Sequence, residues 1–405
     1  MRIILNFLIV LITLTGCDDS NIKLGAYTEA PVVSRVDKYE LYLAKSIDIS
    51  IPKLKFSNYN EFAVFNDSLL YCVNIRKPLT IDIYDLINEK FAYEINVPDF
   101  FVKSNNVANL FIHTLDSIFF QESYPPSVVL INSEGDLVKR FDTDENIEDF
   151  ISDSDVPTLY TFATMFQYRN PVFIPKTNEL IMITHPIGAE LRPGYDDVKR
   201  LGIYDIKNYK WKKFFAKPEG IMKTKGNLYY NFDLSIPYLL VVDTLAYITY
   251  PMDHYIYVYN INSGELLFKR AGNSKLDVNM PYPLPPSKIE DSQSAWNIRI
   301  QTPFYEPLFY NSKLSMFTRN FHFEQELKDE NGRLNDGVER KGSVIIFDNE
   351  LNIVGETIFE NGDLGVLKSI PLSDGFLMGD NTFKLKNDDT LIYRRVYKLR
   401  LKNLE

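Results

Sequence analysis

Short runs of apolar residues, alternating with polar ones and separated by Asn, Asp, Ser and Gly, dominate the chain. The clearest stretch is Leu239–Ala271, where four such runs follow one another. Asp243-Thr244 and Asn262-Ser263-Gly264, which separate runs within it, are typical turn residues. Runs of this length with turn residues between them predict four β-strands in meander order.

The same succession of runs and turns recurs along the chain. A repeated unit that cannot bury its apolar faces alone is typical of repeat folds, and four-stranded meanders are typical of propeller blades. We therefore predict an all-β fold, a six-bladed β-propeller. The copies are Phe62–Val97, Leu110–Asp142, Val172–Phe215, Leu239–Ala271, Leu308–Phe359 and Leu367–Leu401. A seven-bladed propeller is the alternative, because residues 145–168 or 273–304 could contain a degenerate copy.

The last copy lacks an obvious fourth strand, whereas Leu41–Ile51 has the pattern of a strand without a blade. The unassigned strand could therefore supply the one that the last copy lacks. We expect this N-terminal strand to join the last blade and close the ring, which leaves no exposed sheet edge at the seam.

The N-terminus has the pattern of an export signal. Arg2 is followed by the apolar run Ile3–Leu14, which is too short to span a bilayer comfortably, and then by small residues. We predict a signal peptide over residues 1–16 and a polar tether over residues 17–38. Residues 39–405 then form a single propeller domain.

The run Leu14-Thr15-Gly16-Cys17 resembles the lipobox of bacterial lipoproteins. In that family a signal peptidase cleaves before the Cys, whose sulfur then carries a diacylglycerol. The resemblance implies that Cys17 becomes the lipidated first residue and ties the protein to a membrane. The acidic pair Asp18-Asp19 favours the outer membrane or the cell surface, with inner-membrane retention as the alternative.

Composition narrows the choice of partner. The formal net charge of −10 disfavours nucleic acid, because phosphate binding depends on Lys and Arg. The 28 Phe and 26 Tyr supply side chains that suit packed strands.

The chain has two cysteines. Cys72 lies in an apolar run and is expected to be a buried core thiol and not a reactive one.

Long connections interrupt the repeats at residues 144–170, 185–199, 217–238, 273–306 and 319–342. In a propeller these connections share one face. Long loops often carry function, so this face is the expected binding site.

Three histidines, His185, His254 and His322, each follow the second strand of a copy. Three imidazoles on one face could hold zinc, and a single one could act as an acid or base. The alternative, which we favour, is that they are satisfied core or surface residues.

Arginines also lie in or beside these connections, namely Arg76, Arg169, Arg192, Arg299 and Arg319. Guanidinium groups bind carboxylates and phosphates through two parallel hydrogen bonds. An arginine lining would therefore suit an anionic sugar or peptide. Salt bridges between loops are the alternative.

Motifs for cofactors are weak. Asp142, Asp144, Asn146 and Asp153 have the spacing of a calcium loop, but Ile147 stands where the turn requires Gly. We predict no cofactor, with calcium left open. The sequence contains no Gly-rich phosphate loop, zinc cluster or nucleophile elbow, so no catalytic residue is assigned.

Several turns and strands carry a family resemblance, namely Asn66-Asp67-Ser68, Asp116-Ser117, Asp243-Thr244, Ile83–Leu86 and Ile203–Ile206. Together with the lipobox, they resemble uncharacterised Bacteroidetes-type lipoproteins of the six-bladed propeller kind. The resemblance implies fold and location, and it transfers no catalytic residues.

We expect an outer-membrane lipoprotein of the bacterial envelope, periplasmic or surface-exposed. Its propeller would act as a binding or scaffold module for an unknown protein or carbohydrate partner. The alternative is an envelope hydrolase or lyase that acts on a carbohydrate or peptide at the open face of the propeller.

Overall fold

The computed structural model describes residues 27–29, 32–52, 59–75, 78–98, 107–123, 126–142, 160–162, 171–186, 200–215, 218, 236–276, 279–281, 292–335, 340–360, 369–379, 384–386 and 389–402. These residues form an all-β fold with a single helix among them. Within the described ranges no helix is long and apolar enough to cross a membrane.

The described chain begins with two strands whose partners lie far along the sequence, β1 (Tyr27–Glu29) and β2 (Arg35–Pro52). A first antiparallel sheet follows in chain order, with β3 (Tyr59–Phe65), β4 (Leu69–Asn74), β5 (Leu79–Asp85) and β6 (Lys90–Val97). The second sheet repeats this order with β7 (Val107–Thr114), β8 (Ser117–Ser123), β9 (Pro126–Ile131) and β10 (Leu137–Asp142).

The third and fourth sheets keep the same meander. The third contains β11 (Tyr160–Phe162), β12 (Val172–Ile174), β13 (Glu179–Pro186), β14 (Leu201–Asp205) and β15 (Lys210–Phe215). The fourth contains β16 (Tyr238–Val242), β17 (Leu245–Thr249), β18 (Tyr255–Asn260) and β19 (Leu266–Ala271). The four strands expected in Leu239–Ala271 are therefore confirmed.

The segment after the fourth sheet contains β20 (Asn279–Pro281) and the helix α1 (Ser292–Gln301). The fifth sheet follows with β21 (Phe304–Asn311), β22 (Met316–His322), β23 (Gly342–Phe347) and β24 (Ile353–Phe359). The last strands are β25 (Ser369–Leu372), β26 (Gly375–Gly379), β27 (Lys384–Lys386) and β28 (Asp389–Leu401).

The N-terminal strand β2 completes the last sheet, as the sequence predicts. It pairs antiparallel with β28 from Tyr39 to Pro52. We call β25, β26, β28 and β2 the closing sheet. β2 also runs parallel to β24 for a short distance, which joins the fifth and closing sheets into one nine-stranded sheet. A Cβ at Gly355 would collide with the backbone of Tyr39, so glycine permits this close approach.

Part of the segment expected to be a tether is ordered in strands. Tyr27–Glu29 pairs with Asn279–Pro281, and β2 begins at Arg35, ahead of the expected domain boundary at residue 39. The ion pair between Arg35 and the buried Glu356 on β24 fixes this segment. The pattern of apolar residues does not reveal that contact. Residues 1–26, which include Cys17, lie outside the described residues.

Buried apolar side chains in the described ranges form six clusters, each between two neighbouring sheets. Five of them join the first sheet to the second, the second to the third, and so on to the closing sheet. The sixth contains Ile47 and Leu377 from the closing sheet with Leu70 and Cys72 from the first sheet. Cys72 is thus a buried free thiol, as expected. The sheets form a propeller-like arrangement in which the last sheet packs on the first.

The two stretches that could have contained a seventh copy hold other elements in their described residues. In residues 145–168, β11 extends the third sheet by pairing with β13. In residues 273–304, β20 pairs with β1 and is followed by α1. A further four-stranded sheet is not formed by the described part of either stretch.

Candidate functional site

Arg319 is fully buried between the fourth and fifth sheets. Phe317 and Phe321 flank it on the same face of β22 and pack against Tyr247 and Val258 of the fourth sheet. Residues two apart on a strand share a face, so this apolar packing carries the guanidinium into the interface. The sequence placed Arg319 at the start of a loop. That placement is wrong because β22 continues to His322.

The Arg319 guanidinium clamps two backbone segments through three carbonyls. Nη2 donates to the carbonyls of Tyr250 (2.9 Å) and Asp253 (3.1 Å), and Nε donates to the carbonyl of Glu306 (3.4 Å). The guanidinium carbon also lies 4.0 Å from the centre of the Tyr305 ring, a cation–π contact. These contacts fix the connection between β17 and β18 to strand β21.

His254 lies in the connection held by Arg319. It is buried, and its Nδ1 is 3.2 Å from the hydroxyl oxygen of Tyr305. The neighbouring Asp253 accepts a 2.7 Å hydrogen bond from the Tyr257 hydroxyl. Burial raises the pKa of the Asp253 carboxyl and also that of Tyr257. These residues therefore form a buried network beneath the connection.

His322 ends β22 on the other face of the strand. Its ring stacks on Phe304 at 4.7 Å between centres, and its Nε2 lies 3.4 Å from Oε1 of Glu306. Burial lowers the pKa of His322, and the positive charges of Arg340 and Arg299 lower it further, against the opposing effect of Glu306. His322 is consequently held neutral at a pH where an exposed histidine begins to protonate.

Arg340 precedes β23 and completes the same interface. Its guanidinium donates to the carbonyls of Arg299, Ile300 and Thr302 at the C-terminal end of α1, with 3.1 Å to Arg299 and to Thr302. It also lies over the Phe304 ring at 5.3 Å. Burial lowers the pKa of Arg340 to about 10. A cation at the C-terminal carbonyls of a helix is favourable, so Arg340 ties α1 to the fifth sheet.

Between His322 and Arg340 lies the insert that follows β22, described over residues 323–335 and 340–341. Its base closes through the Phe323 amide and the Lys341 carbonyl at 3.0 Å. An isolated bridge pairs Lys328 with Leu334, and Asp329 and Arg333 share a 2.8 Å backbone hydrogen bond. The described part of the insert is thus held by its own hydrogen bonds, and Leu334 within it is exposed.

The predicted ligand-binding residues fall into two groups. His254, Arg299, Arg319 and His322 come together at the interface of the fourth and fifth sheets, where His254, Arg319 and His322 are buried. His254, Arg319 and His322 do not form an open lining, because their side chains are packed against carbonyls, aromatic rings and Glu306. Arg76, Arg169 and Arg192 lie outside the described residues. His185 lies in β13 beside Thr161, and its side chain is not described.

Sequence reasoning missed Tyr305, Glu306, Arg340 and Asp253. Asp253 adjoins His254, and Arg340 stands directly before an apolar strand, so position alone could have indicated both. Among the described residues no three His, Cys, Asp or Glu side chains are close enough to hold a metal. Of the calcium-loop residues only Asp142 is described, and it accepts a 2.9 Å hydrogen bond from Arg140.

A second concave site lies at the seam between the closing and first sheets. It is a groove of about 430 Å³ with an apolar floor that includes Ile47, Leu86 and Leu377. The charges on its rim are paired, since Lys398 contacts Asp374 at 2.5 Å and Lys45 contacts Glu89 at 2.7 Å. The groove therefore offers apolar surface more than charge.

Comparisons with known proteins agree with this fold. No curated protein matches the chain. The chain is similar over 90% of its length, and over 99% of the other chain, to the crystal structure of a DUF4221 family member from Bacteroides vulgatus (TM-score 0.63, 14% identity). It is also similar to a Bacteroides fragilis protein described as exported, with a TM-score of 0.50 and 10% identity, over 92% of this chain and 100% of that one.

At these identities the two crystal structures show the shared fold and not a shared activity. The family model gives the more direct result, because it matches residues 42–358, which is most of the chain. The resemblance to uncharacterised proteins of Bacteroides-type bacteria is thereby confirmed at the level of family. The chain belongs to the DUF4221 family, a domain of unknown function.

Proposed function

We propose that this protein is a lipid-anchored binding or scaffold module of the bacterial envelope, with the insert after β22 as its contact surface. The ordered insert is the observation that carries the proposal. Its described residues are held by backbone hydrogen bonds with Leu334 exposed, while its two ends adjoin the buried His322 and Arg340. A surface that is ordered before binding loses less conformational entropy when a partner docks.

The Arg319 clamp supports the same reading. It joins the connection at residues 250–254 to β21 and β22, directly below the insert's attachment point. Buried supports that are hydrogen-bonded to the backbone in this way hold a contact surface in one geometry. The partner we propose is a protein or carbohydrate of the envelope.

The architecture proposed for this module is a six-bladed propeller closed by β2. The support is the succession of apolar clusters in the described residues, in which the closing sheet packs on the first through Ile47 and Leu70. Blades that pack in a closed succession leave few exposed sheet edges, which suits a protein outside the cell.

Membrane attachment through Cys17 is tested by labelling. The full chain and its Cys17→Ser variant are expressed in a bacterial host that is fed an alkyne-tagged fatty acid. We expect label on the wild type alone, and release of the variant from the membrane fraction. Equal labelling of the two proteins, or no label on either, would contradict lipidation at this residue. Protease treatment of intact cells then separates surface from periplasmic placement.

Binding is tested with purified protein and fractionated envelope glycans and peptides. We expect retention of a ligand whose mass stays unchanged, and weaker retention by Leu334→Asp. The exposed Leu43, on β2 and outside the insert, supplies the matched control Leu43→Asp. Catalytic conversion of the ligand would instead favour the hydrolase or lyase alternative, and equal retention by all three proteins would reject the insert as the contact surface.

A further inference from the structure

The outer strand of the fourth sheet, β19, is exposed along five consecutive residues. Three of them are large and apolar, with Leu266 at 42%, Leu267 at 48% and Phe268 at 42% exposure. Successive residues of a strand point to opposite faces, so β19 is open on both faces. Its outer edge pairs with no other strand in the described sheets. The outer strands β6 and β10 also expose large apolar residues, but unlike β19 each of them buries part of its length, at Ile95 and at Phe141.

The N-terminal segment is fixed directly beside the end of β19. The Arg35 guanidinium donates to the carbonyl of Asn273, two residues past the strand, and binds the Glu356 carboxylate at 2.9 Å. Ser274 and the Lys275 amide donate to the same carboxylate, the latter at 2.8 Å. The pairing of β1 with β20 adds a second attachment. The described N-terminal segment is thus attached beside the C-terminal end of β19.

The segments beside this attachment also expose apolar side chains. Val32 and Val36 of the N-terminal segment and Leu276 past the strand are all exposed. Contiguous apolar surface on a folded protein marks an interaction site more often than chance. Leu266, Leu267 and Phe268 follow one another directly on β19 and form such a surface.

The distance to the anchoring residue is short. Cys17 precedes Tyr27, the first residue of β1, by ten positions. An extended chain of that length spans at most about 33–36 Å. A lipid on Cys17 therefore keeps Tyr27, and with it the pairing of β1 with β20, within that distance of the bilayer surface.

Charge at the end of β19 suits an anionic surface. Lys269 and Arg270 follow the apolar run and are exposed, in a chain whose formal net charge is −10. The Lys269 amine lies 4.2 Å from the Tyr255 ring centre, and the Arg270 guanidinium lies 5.5 Å from that of Phe268. Apolar and aromatic residues beside Lys and Arg are the composition of interfacial membrane-binding segments.

We propose that the segment Leu266–Arg270 docks on the membrane to which Cys17 is attached. Leu266, Leu267 and Phe268 enter the boundary between headgroups and acyl chains, and Lys269 and Arg270 contact anionic headgroups. This inference rests on the proposed lipid anchor and adds a defined orientation to it, with the rim of the fourth sheet against the bilayer.

Fluorescence quenching tests the orientation. Full-length lipidated protein is purified from membranes and reconstituted into phosphatidylcholine and phosphatidylglycerol vesicles that contain a shallow nitroxide lipid. A probe is attached at Phe268→Cys or, as the matched control, at Val138→Cys on β10. Both native side chains are exposed, and the native Cys72 is buried, so it competes little for the label. We expect the probe at position 268 to be quenched several-fold more strongly than the probe at 138.

The experiment distinguishes failure of membrane docking from failure of the lipid anchor. Protein that floats with the vesicles but shows equal quenching at the two positions overturns the docking proposal and leaves the anchor intact. Protein without lipid on Cys17, which does not float, overturns both. A probe at 268 that is shielded without vesicles, in step with a sedimentation shift to dimer, indicates a second copy of this chain on β19 and also overturns membrane docking.

Charge reversal provides an independent readout. We expect Lys269→Glu/Arg270→Glu to reduce quenching at position 268 by about fivefold or more in anionic vesicles, because each basic residue near such a surface contributes about 1 kcal/mol. Lys90→Glu/Lys313→Glu, at two exposed positions on other sheets, changes the net charge by the same amount and is the control. Wild-type quenching should also fall as salt rises from 0.05 to 0.5 M, in line with screening. Unchanged quenching in the double variant would contradict the headgroup contacts.

Discussion

Arg319, at the scale of single residues, is a buried charge whose partners are three backbone carbonyls. A buried cation is costly unless its donors are engaged, and here Nε and Nη2 hold the connection between β17 and β18 to strand β21. Arg340 repeats this arrangement at one end of the insert, and the buried His322 lies against Glu306 at the other. Arg319, His322 and Arg340 thus stabilise the interface between the fourth and fifth sheets.

Replacing Arg319 with Met should destabilise the protein by about 3 kcal/mol or more. The substitution leaves the carbonyls of Tyr250, Asp253 and Glu306 buried without this donor. Urea unfolding followed by tyrosine fluorescence measures the loss. Arg333→Met, at an exposed position in the insert, is the control and should change stability by less than about 0.5 kcal/mol. Equal effects of the two substitutions would show that Arg319 is no clamp.

His322 gives the protein a predictable response to acid. Its pKa in the folded state lies below the ordinary value of 6.5, so the unfolded chain binds more protons between the two values. The free energy of unfolding should therefore fall as the pH is lowered through 6.5. The raised pKa of Asp253 acts in the opposite direction at lower pH.

We expect His322→Gln to flatten this dependence between pH 7 and pH 5. Urea unfolding of both proteins at each pH measures the difference in slope, with the same substitution at the exposed His113 as the control. Glu306, Arg340 and Arg299 face His322 and stay in both proteins, so the difference isolates the imidazole. Identical slopes for wild type and His322→Gln would contradict a depressed pKa.

At the scale of elements, the N-terminal segment behaves as part of the fold because one carboxylate holds it. Glu356 on β24 is buried and binds Arg35, Ser274 and the Lys275 amide. A carboxylate with several donors is a strong attachment point. This contact decides where β2 begins and where the chain leaves the body.

Glu356→Gln should release the N-terminal segment. The amide keeps the shape but loses the charge, and hydrogen bonds to charged groups contribute about 1.5–3 kcal/mol. Hydrogen exchange should rise in residues 32–38 before it rises in β28. Glu324→Gln, at an exposed position, is the control. Unchanged exchange in residues 32–38 would show that the pairing of β2 alone holds the segment.

At the scale of the whole molecule, the seam between the closing and first sheets is completed by the two ends of the chain. β2 and β28 pair over their length, and Ile47 packs with Leu70 and Cys72 across the seam. Contacts between the two ends of a chain form with a large loop-closure entropy cost. The stability of the seam therefore depends on the apolar residues buried there.

Ile47→Ala should open this seam. A large-to-small change in a core costs about 2–5 kcal/mol, and Cys72 in the same cluster should react faster with a thiol reagent. Leu43→Ala, an exposed position on the same strand, is the matched control and should leave both properties near wild type. If Cys72 reactivity is equal in the two variants, the seam opens through other contacts.

The sequence alone determined the strands, because alternation of apolar residues and turn residues such as Asp243-Thr244 act over short distances. It also determined the partner of β2, since one strand was missing from the last copy. It named four of the residues at the fourth and fifth sheet interface but placed Arg319 and His322 on an open face. Only the tertiary structure decided that they are buried, because their partners, Tyr250, Asp253, Glu306 and Arg340, lie on other segments. The same holds for Arg35 and Glu356, which are far apart along the chain and adjacent in the fold. Periodicity records which side of a strand is apolar, whereas the identity of a buried polar partner depends on how the sheets pack.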